Sequence, residues 1–254
     1  MELPPTDLSW FAEHLTESVQ ELLDAWNDTN TLVQQEVNTS PELLQKSLMQ
    51  LIDLLRVQEW RNNPDPYVEK GVFGAMDVSE LGDYGLTLLT ELAQLSLDLG
   101  LNDSIERLEQ LALSLGLWVA KQQGELSNVE LVVNGIARLA NQTYAEKELE
   151  SLFFAMGEIL DSVSPAISLR YTRNEPMHNP RTLLLINRAI VATRMLSPIL
   201  MESAFADVVE QHPEVAPGFF SEGMEQVKVQ EYPDDVREVI ERYYHEYPPA
   251  AKLH

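Results

Sequence analysis

The basic residues between positions 162 and 201 are all arginine, and they are the sharpest chemical feature of this sequence. Five arginines accompany a single acidic residue, Glu175, so this stretch carries a net charge of +4 in a chain whose net charge is −24. The planar guanidinium group can bind a carboxylate or a phosphate through two parallel hydrogen bonds. The stretch is therefore the first candidate site.

Two hypotheses account for these arginines. In the first, four side chains line an anion-binding site at the N-terminus of a helix, where free backbone N–H groups also attract negative charge. The four are Arg173, His178, Arg181 and Arg188. In the second, the arginines bond the acidic helices around them and hold the C-terminal part of the chain to the N-terminal part. The composition favours the second hypothesis, because 40 of the 41 acidic residues lie outside this stretch.

Patterns for metal binding or covalent catalysis are weak elsewhere. The chain has no cysteine, which excludes disulfides, thiolate metal sites and thiol nucleophiles. Glu175 and His178 have the spacing of a Glu-x-x-His pair, but Pro176 argues against a helix there and a second such pair is missing. Phosphate-binding loops, dinucleotide motifs and nucleophile elbows are also missing. The sequence therefore predicts no metal and no cofactor, and it assigns no catalytic residue.

Aromatic residues near both ends of the chain are candidate interface residues. A tyrosine ring can pack on an apolar surface while its hydroxyl stays hydrated, and this suits a partner surface as well as the edge of a core. The candidates are Trp10, Trp26, Tyr243, Tyr244 and Tyr247.

Apolar residues at steps of three and four predict α-helices along nearly the whole chain. The first begins at Leu8, and Ser40-Pro41 is typical of the start of a second. Further helices are predicted over 79–99, 103–123, 128–140, 144–163, 180–197, 199–209 and 233–247, with helix or strand over 218–230. Residues 166–172 alternate apolar and polar, which predicts a short strand. Gly100 and Gly124 are expected to end helices in the left-handed conformation.

These elements predict an all-α fold with at most one or two short strands in the C-terminal part. Leu108–Gly116 resembles Leu149–Gly157 at an offset of 41 residues, the length of a two-helix repeat. A stack of antiparallel helix pairs with a tetratricopeptide-like or HEAT-like layout and an irregular helical bundle both fit. We expect six helices over 1–163 and a second helical part over 164–254, and one continuous domain is equally compatible.

The acidity of the chain restricts its partners. Nucleic acids and anionic membrane surfaces are disfavoured, because both require cationic side chains. The most apolar window, 183–201, contains two arginines, so no membrane insertion is expected. The first basic residue is Lys46, and the N-terminus lacks the pattern of a secretory signal, so a cytoplasmic location is predicted.

The preferred functional hypothesis is a non-catalytic interaction or scaffold module that binds a protein partner with a basic surface. A homo-oligomer is also compatible with the sequence. One alternative is a small-molecule or anion-binding protein, with or without catalysis, centred on the four residues of the first hypothesis. Another is adaptation to high salt, which the six lysines against 41 acidic residues would fit.

Overall fold

A computed structural model describes residues 2–28, 40–62, 77–171 and 176–249. Within these ranges the chain forms ten α-helices and two 3-10 helices, and it contains no β-strand. The α-helices are α1 (Leu8–Asp28), α2 (Pro41–Asn62), α3 (Val78–Asp98), α4 (Asn102–Lys121), α5 (Glu130–Gln142), α6 (Glu146–Ser162), α7 (Pro180–Arg194), α8 (Pro198–Gln211), α9 (Ala216–Val229) and α10 (Asp234–Glu246). The 3-10 helices are Pro165–Leu169 and Pro176–His178. The predicted all-α fold is confirmed.

Two segments with an ambiguous pattern are helical. The expected strand near residue 166 is the 3-10 helix Pro165–Leu169, and residues 216–229 form α9. The described residues contain β-type backbone pairing only as an isolated bridge between Leu126 and Val163. The alternation that includes Val229 does not mark a buried sheet face, because Val229 is 82% exposed.

The described helices belong to two compact units, each with its own core. One unit contains the described residues within 4–135 and 161–164, and we call it the N-terminal unit. The other contains the described residues within 1–3, 136–160 and 165–254, and we call it the C-terminal unit.

The N-terminal unit is built on a bundle of four helices. Helix α1 packs on α2 and α4, and α3 packs on the same two helices, so the four form a closed ring of neighbours. A linear stack would not bring the first helix against the last. Helix α4 is the most enclosed, because every residue from 111 to 119 is buried. Gly82 allows α3 to approach α4 closely, since a Cβ there would lie 2.5 Å from Val119 Cγ2.

The C-terminal unit has a core of aromatic rings. Helix α8 packs on α7 and α10, and α9 packs on α10. The Phe205 ring centroid lies 5.2 Å from those of Phe220 and Tyr243, and the latter two are 5.1 Å apart. Helix α7 starts after Asn179, whose side chain accepts a hydrogen bond of 2.9 Å from the backbone N–H of Arg181. This start places the arginines of α7 against residues 136–160.

Candidate binding cavity

The predicted anion-binding residues have different environments. Arg173 lies outside the described residues. His178 is an exposed residue at the end of the short 3-10 helix. Arg181 donates from Nη1 to the carbonyl oxygen of Leu160 and from Nε to Oε1 of Gln211, both at 3.0 Å. The Arg181 guanidinium therefore already makes internal hydrogen bonds.

Arg188 lies in the middle of α7 and makes two kinds of contact. Its Nη1 donates to Oδ2 of Asp207 at 2.7 Å. Its guanidinium carbon lies 4.0 Å from the centroid of the Phe153 ring, which is a cation–π geometry. The exposed fraction of the Arg188 side chain is 13%, so this guanidinium is enclosed by its partners.

Arg194 is the last residue of α7. It donates to the carbonyl oxygens of Ala140 and Thr143, and its guanidinium carbon lies 5.4 Å from the Tyr144 ring centroid. The last carbonyls of a helix lack intrahelical partners and favour a cation. Arg194 supplies that cation at the end of α5, as Arg181 does through Leu160 at the end of α6.

The three arginines of α7 thus make hydrogen bonds within the C-terminal unit, at the start, middle and end of one helix. Arg188 bonds a carboxylate, as the second hypothesis expects. Arg181 and Arg194 bond backbone carbonyls instead. The sequence offered one signal for Arg194, a basic residue in the last turn of a predicted helix. Its target could not be predicted, because the target lies about 50 residues earlier in the chain.

The predicted interface residues are partly exposed. Tyr243 packs in the aromatic core, and its hydroxyl donates to the Glu202 carbonyl at 3.3 Å. Burial and the nearby Glu202 carboxylate raise the pKa of Tyr243 to about 12. Tyr247 stacks on Tyr243 with centroids 6.3 Å apart, and Tyr244 is half-buried.

The two tryptophans predicted as interface residues lie in the N-terminal unit and are also half-buried. Trp10 stacks on His14 with centroids 4.2 Å apart, near the start of α1. Trp26 lies near the end of the same helix. An interface role for these five aromatic residues stays a prediction.

A partly enclosed apolar cavity of about 460 Å³ lies in the C-terminal unit. Its floor is made of residues that are nearly inaccessible to solvent: Phe205, Phe220 and Ile240. Its apolar walls are Ile186 and Ile190 from α7 and Phe219 and Gly223 from α9. Its polar lining is Thr193, Arg194, Glu222, Gln226, Gln230 and Tyr232. The volume falls in the range of sites that receive a ligand or several side chains.

Sequence patterns did not reveal this cavity. One signal was present in Phe219-Phe220, because adjacent residues on a helix point about 100° apart and cannot both face one core. Phe220 is 1% exposed, whereas Phe219 is only half-buried and lines the cavity. The cavity needs residues from four helices, and their meeting is a tertiary property.

A second cluster has residue types that occur in nucleophilic catalysis. Thr182 Oγ1 lies 3.3 Å from Nδ1 and 3.2 Å from Nε2 of His212, and that Nδ1 lies 3.2 Å from Oε1 of Glu214. A base must point one nitrogen at the hydroxyl, but here the oxygen is nearly equidistant from both. Thr182 is also 1% exposed. This geometry fits structural contacts between α7 and the end of α8.

The described residues bring no three potential metal ligands together. None of the described helices combines the length and apolarity needed to cross a membrane. Comparison of the chain with protein-family models, curated proteins and solved structures found no match.

Proposed function

We propose that this protein is a non-catalytic helical interaction module that binds a protein partner with a basic surface. The observation that carries the proposal is the pairing of the cations in α9 and α10. Lys228 Nζ lies 2.5 Å from Oε1 of Glu225. Arg237 forms an ion pair with Asp234, and Arg242 forms one with Glu202.

This pairing leaves a negative surface. Residues 216–249 contain eight acidic residues and three basic ones. Because the three cations already contact carboxylates of their own unit, the remaining acidic side chains present uncompensated charge to solvent. Exposed examples on α10 are Asp235 and Glu238. A surface of one sign accelerates encounter with a partner of the opposite sign and selects against partners of the same sign.

The alternative of anion binding draws less support from the geometry. Arg181 and Arg188 would have to exchange internal hydrogen bonds for contacts with the anion, and Arg188 would have to do so while its side chain is largely enclosed. Leaving Asp207 or the Leu160 carbonyl without a donor carries a desolvation cost.

The test compares two triple charge reversals that change the net charge equally. One is Asp235→Lys, Glu238→Lys and Glu241→Lys on α10, and the other is Glu80→Lys, Glu91→Lys and Asp98→Lys at exposed positions of α3, which carries no predicted interface residue. The probe is an amphipathic helical peptide of leucine and lysine, and affinity is measured by calorimetry at several salt concentrations. We expect the α10 triple to weaken binding at least about tenfold more than the α3 triple.

Two results would contradict the proposal. Equal weakening by both triples would show that the peptide responds only to net charge. Binding that is independent of salt would show that the acidic surface takes no part, because interactions between exposed charges are screened by salt.

A further inference from the structure

We infer that the cavity between α7 and α9 is the docking site for an amphipathic basic helix of the partner. Bulky apolar side chains on one face of that helix enter the cavity, and lysine or arginine side chains on its flanks meet the acidic surface. The inference rests on the proposed function and specifies its site. It combines the shape of the cavity, the exposure of its walls and the charge around it.

The shape suits apolar side chains. Phe205, Phe220 and Ile240 form a floor without charge, and a volume of about 460 Å³ accommodates more than one large side chain. Amphipathic helices bind such grooves through residues spaced three or four apart. A partner helix that fills the cavity would remove apolar surface from water on both molecules.

Part of the cavity wall is exposed in the free protein, although Ile186 is buried. Ile190 is 41% exposed although it lines the cavity, and Phe219 is only half-buried. Apolar surface that lines a concavity and is edged by polar groups is typical of interaction sites. Glu222, Gln226 and Gln230 provide that polar edge along one side of α9.

Charge decides between a basic and an acidic helix. Glu222 lines the cavity, and the adjoining α10 carries the exposed carboxylates described above. Arg194 also lines the cavity, and its positive charge offsets that of Glu222 while its guanidinium donates to the carbonyls of Ala140 and Thr143. The two helices α9 and α10, which both line the cavity, still carry more acidic than basic residues, so an acidic helix would meet net repulsion from them. A second copy of this chain is disfavoured for the same reason, since each copy carries a net charge of −24.

Gly223 and Gly218 provide a matched pair of variants on α9. Gly223 lines the cavity, and a Cβ there would lie 3.4 Å from Ile240 Cγ2. Gly218 is exposed, and a Cβ there would meet nothing within 4 Å. Gly223→Phe therefore puts a ring into the cavity, whereas Gly218→Phe adds the same ring outside it.

Ile190→Glu is a second cavity variant that separates apolar docking from charge. It adds a carboxylate, which would strengthen a purely electrostatic attraction to a basic peptide. If the apolar face of the peptide enters the cavity, the same change weakens binding, because the carboxylate has to be desolvated. Ile190 is partly exposed, so the substitution spares the buried core. Circular dichroism checks that each variant is folded.

The experiment measures the affinity of a leucine–lysine peptide and of a leucine–glutamate peptide with the same apolar face. We expect the leucine–lysine peptide to bind the unmodified protein, and Gly223→Phe and Ile190→Glu each to weaken it at least about tenfold. We expect Gly218→Phe to change the affinity less than about twofold. The leucine–glutamate peptide should bind at least about tenfold more weakly than the leucine–lysine peptide.

Other results would overturn the inference and show which part fails. Unchanged affinity in both cavity variants would move docking to another surface, while the proposed function could still pass its charge-reversal test. Failure of the leucine–lysine peptide to bind the unmodified protein would overturn both. If N-phenyl-1-naphthylamine binds in the cavity and no peptide displaces it, the occupant is a small apolar molecule. If sedimentation shows a dimer that Gly223→Phe dissociates, the occupant is a second copy.

Discussion

Gln123 holds the left-handed backbone conformation that ends α4, with φ at 60°. Its N–H donates to the Ala120 carbonyl, and the N–H of Gly124 donates to the Val119 carbonyl at 3.0 Å. These are the bonds of a Schellman motif, which favours glycine at the position that Gln123 occupies. The prediction of a left-handed glycine is confirmed for Gly100, with φ at 73°, and is wrong for Gly124.

Steric crowding around Gly124 explains why the left-handed residue is Gln123 and not Gly124. A Cβ at Gly124 would lie 2.8 Å from Val119 Cγ1 and 2.9 Å from Val78 Cγ1. The chain therefore needs a glycine at 124 for space, and the residue before it takes the strained conformation. The position of the turn was predictable from the sequence, but a steric need for glycine and a conformational need for glycine give the same sequence pattern.

Gln123→Gly is expected to stabilise the protein by about 0.5–1 kcal/mol. The substitution removes a left-handed cost of about 1–2 kcal/mol, which the greater freedom of glycine in the unfolded chain partly offsets. Urea unfolding monitored by circular dichroism measures the change. Gly100→Ala is the converse control and should destabilise by about 1 kcal/mol, since a Cβ at Gly100 meets nothing within 4 Å and only its φ is unfavourable. A lower urea midpoint for Gln123→Gly would contradict the argument.

Tyr243 should make stability depend on alkaline pH. Its pKa in the folded protein is about 12, above the value of about 10 in an unfolded chain. The folded state therefore favours the neutral phenol, and its contribution is complete below about pH 10 and is lost as the pH rises to about 12. Thermal unfolding over this range should show a falling midpoint, with a shallower fall in Tyr243→Phe. The exposed Tyr84→Phe is the control, and an equal fall in both variants would rule out this role of Tyr243.

At the scale of the element, the packing of α7 on its neighbouring helices depends on the hydrogen bonds of its arginines. Arg194→Ala should destabilise the protein by about 1.5–3 kcal/mol, because two carbonyls near the end of α5 lose a charged donor. Arg194→Lys should recover only part of this loss, since an ammonium lacks the planar fork of a guanidinium. Chemical denaturation gives the free energy of unfolding for both variants.

The control for this prediction is Arg237→Ala. Arg237 forms an exposed ion pair with Asp234, three residues earlier on α10. Such pairs contribute about 0.5 kcal/mol or less. Similar losses in the free energy of unfolding for Arg194→Ala and Arg237→Ala would mean that the hydrogen bonds of Arg194 do not stabilise the fold.

The existence of the helices was predictable, because it depends on a local repeat of apolar residues that each segment carries by itself. The prediction of a strand over 166–172 was wrong, because strand formation depends on the packing around a segment more than on alternation over seven residues. The entry into α5 was also harder to predict. There the Asp83 carboxylate accepts the backbone N–H groups of Ser127 and Asn128 at 2.7 and 3.2 Å. Because that acceptor belongs to α3, the sequence around the start of α5 does not predict it.

For the whole molecule, net charge should make stability depend on salt. A net charge of −24 produces repulsion within the folded chain. Raising NaCl from about 0.01 M to about 1 M shortens the screening length from about 30 Å to about 3 Å, so the midpoint of thermal unfolding should rise by several degrees. We expect the protein to be folded even at the lowest salt. Loss of helical circular dichroism at low salt, with recovery at high salt, would instead support adaptation to a saline environment.

The sequence alone determined the all-α class, the approximate limits of most helices, the acidity and the segregation of arginines into one stretch. Each of these depends on residue type or on spacing within one turn or two of a helix. The tertiary structure decided what those residues contact: which carbonyls the α7 arginines bond, and where Phe205, Phe219 and Ile240 meet to form a cavity. Such contacts join residues that are tens of positions apart, and their geometry depends on how whole helices pack.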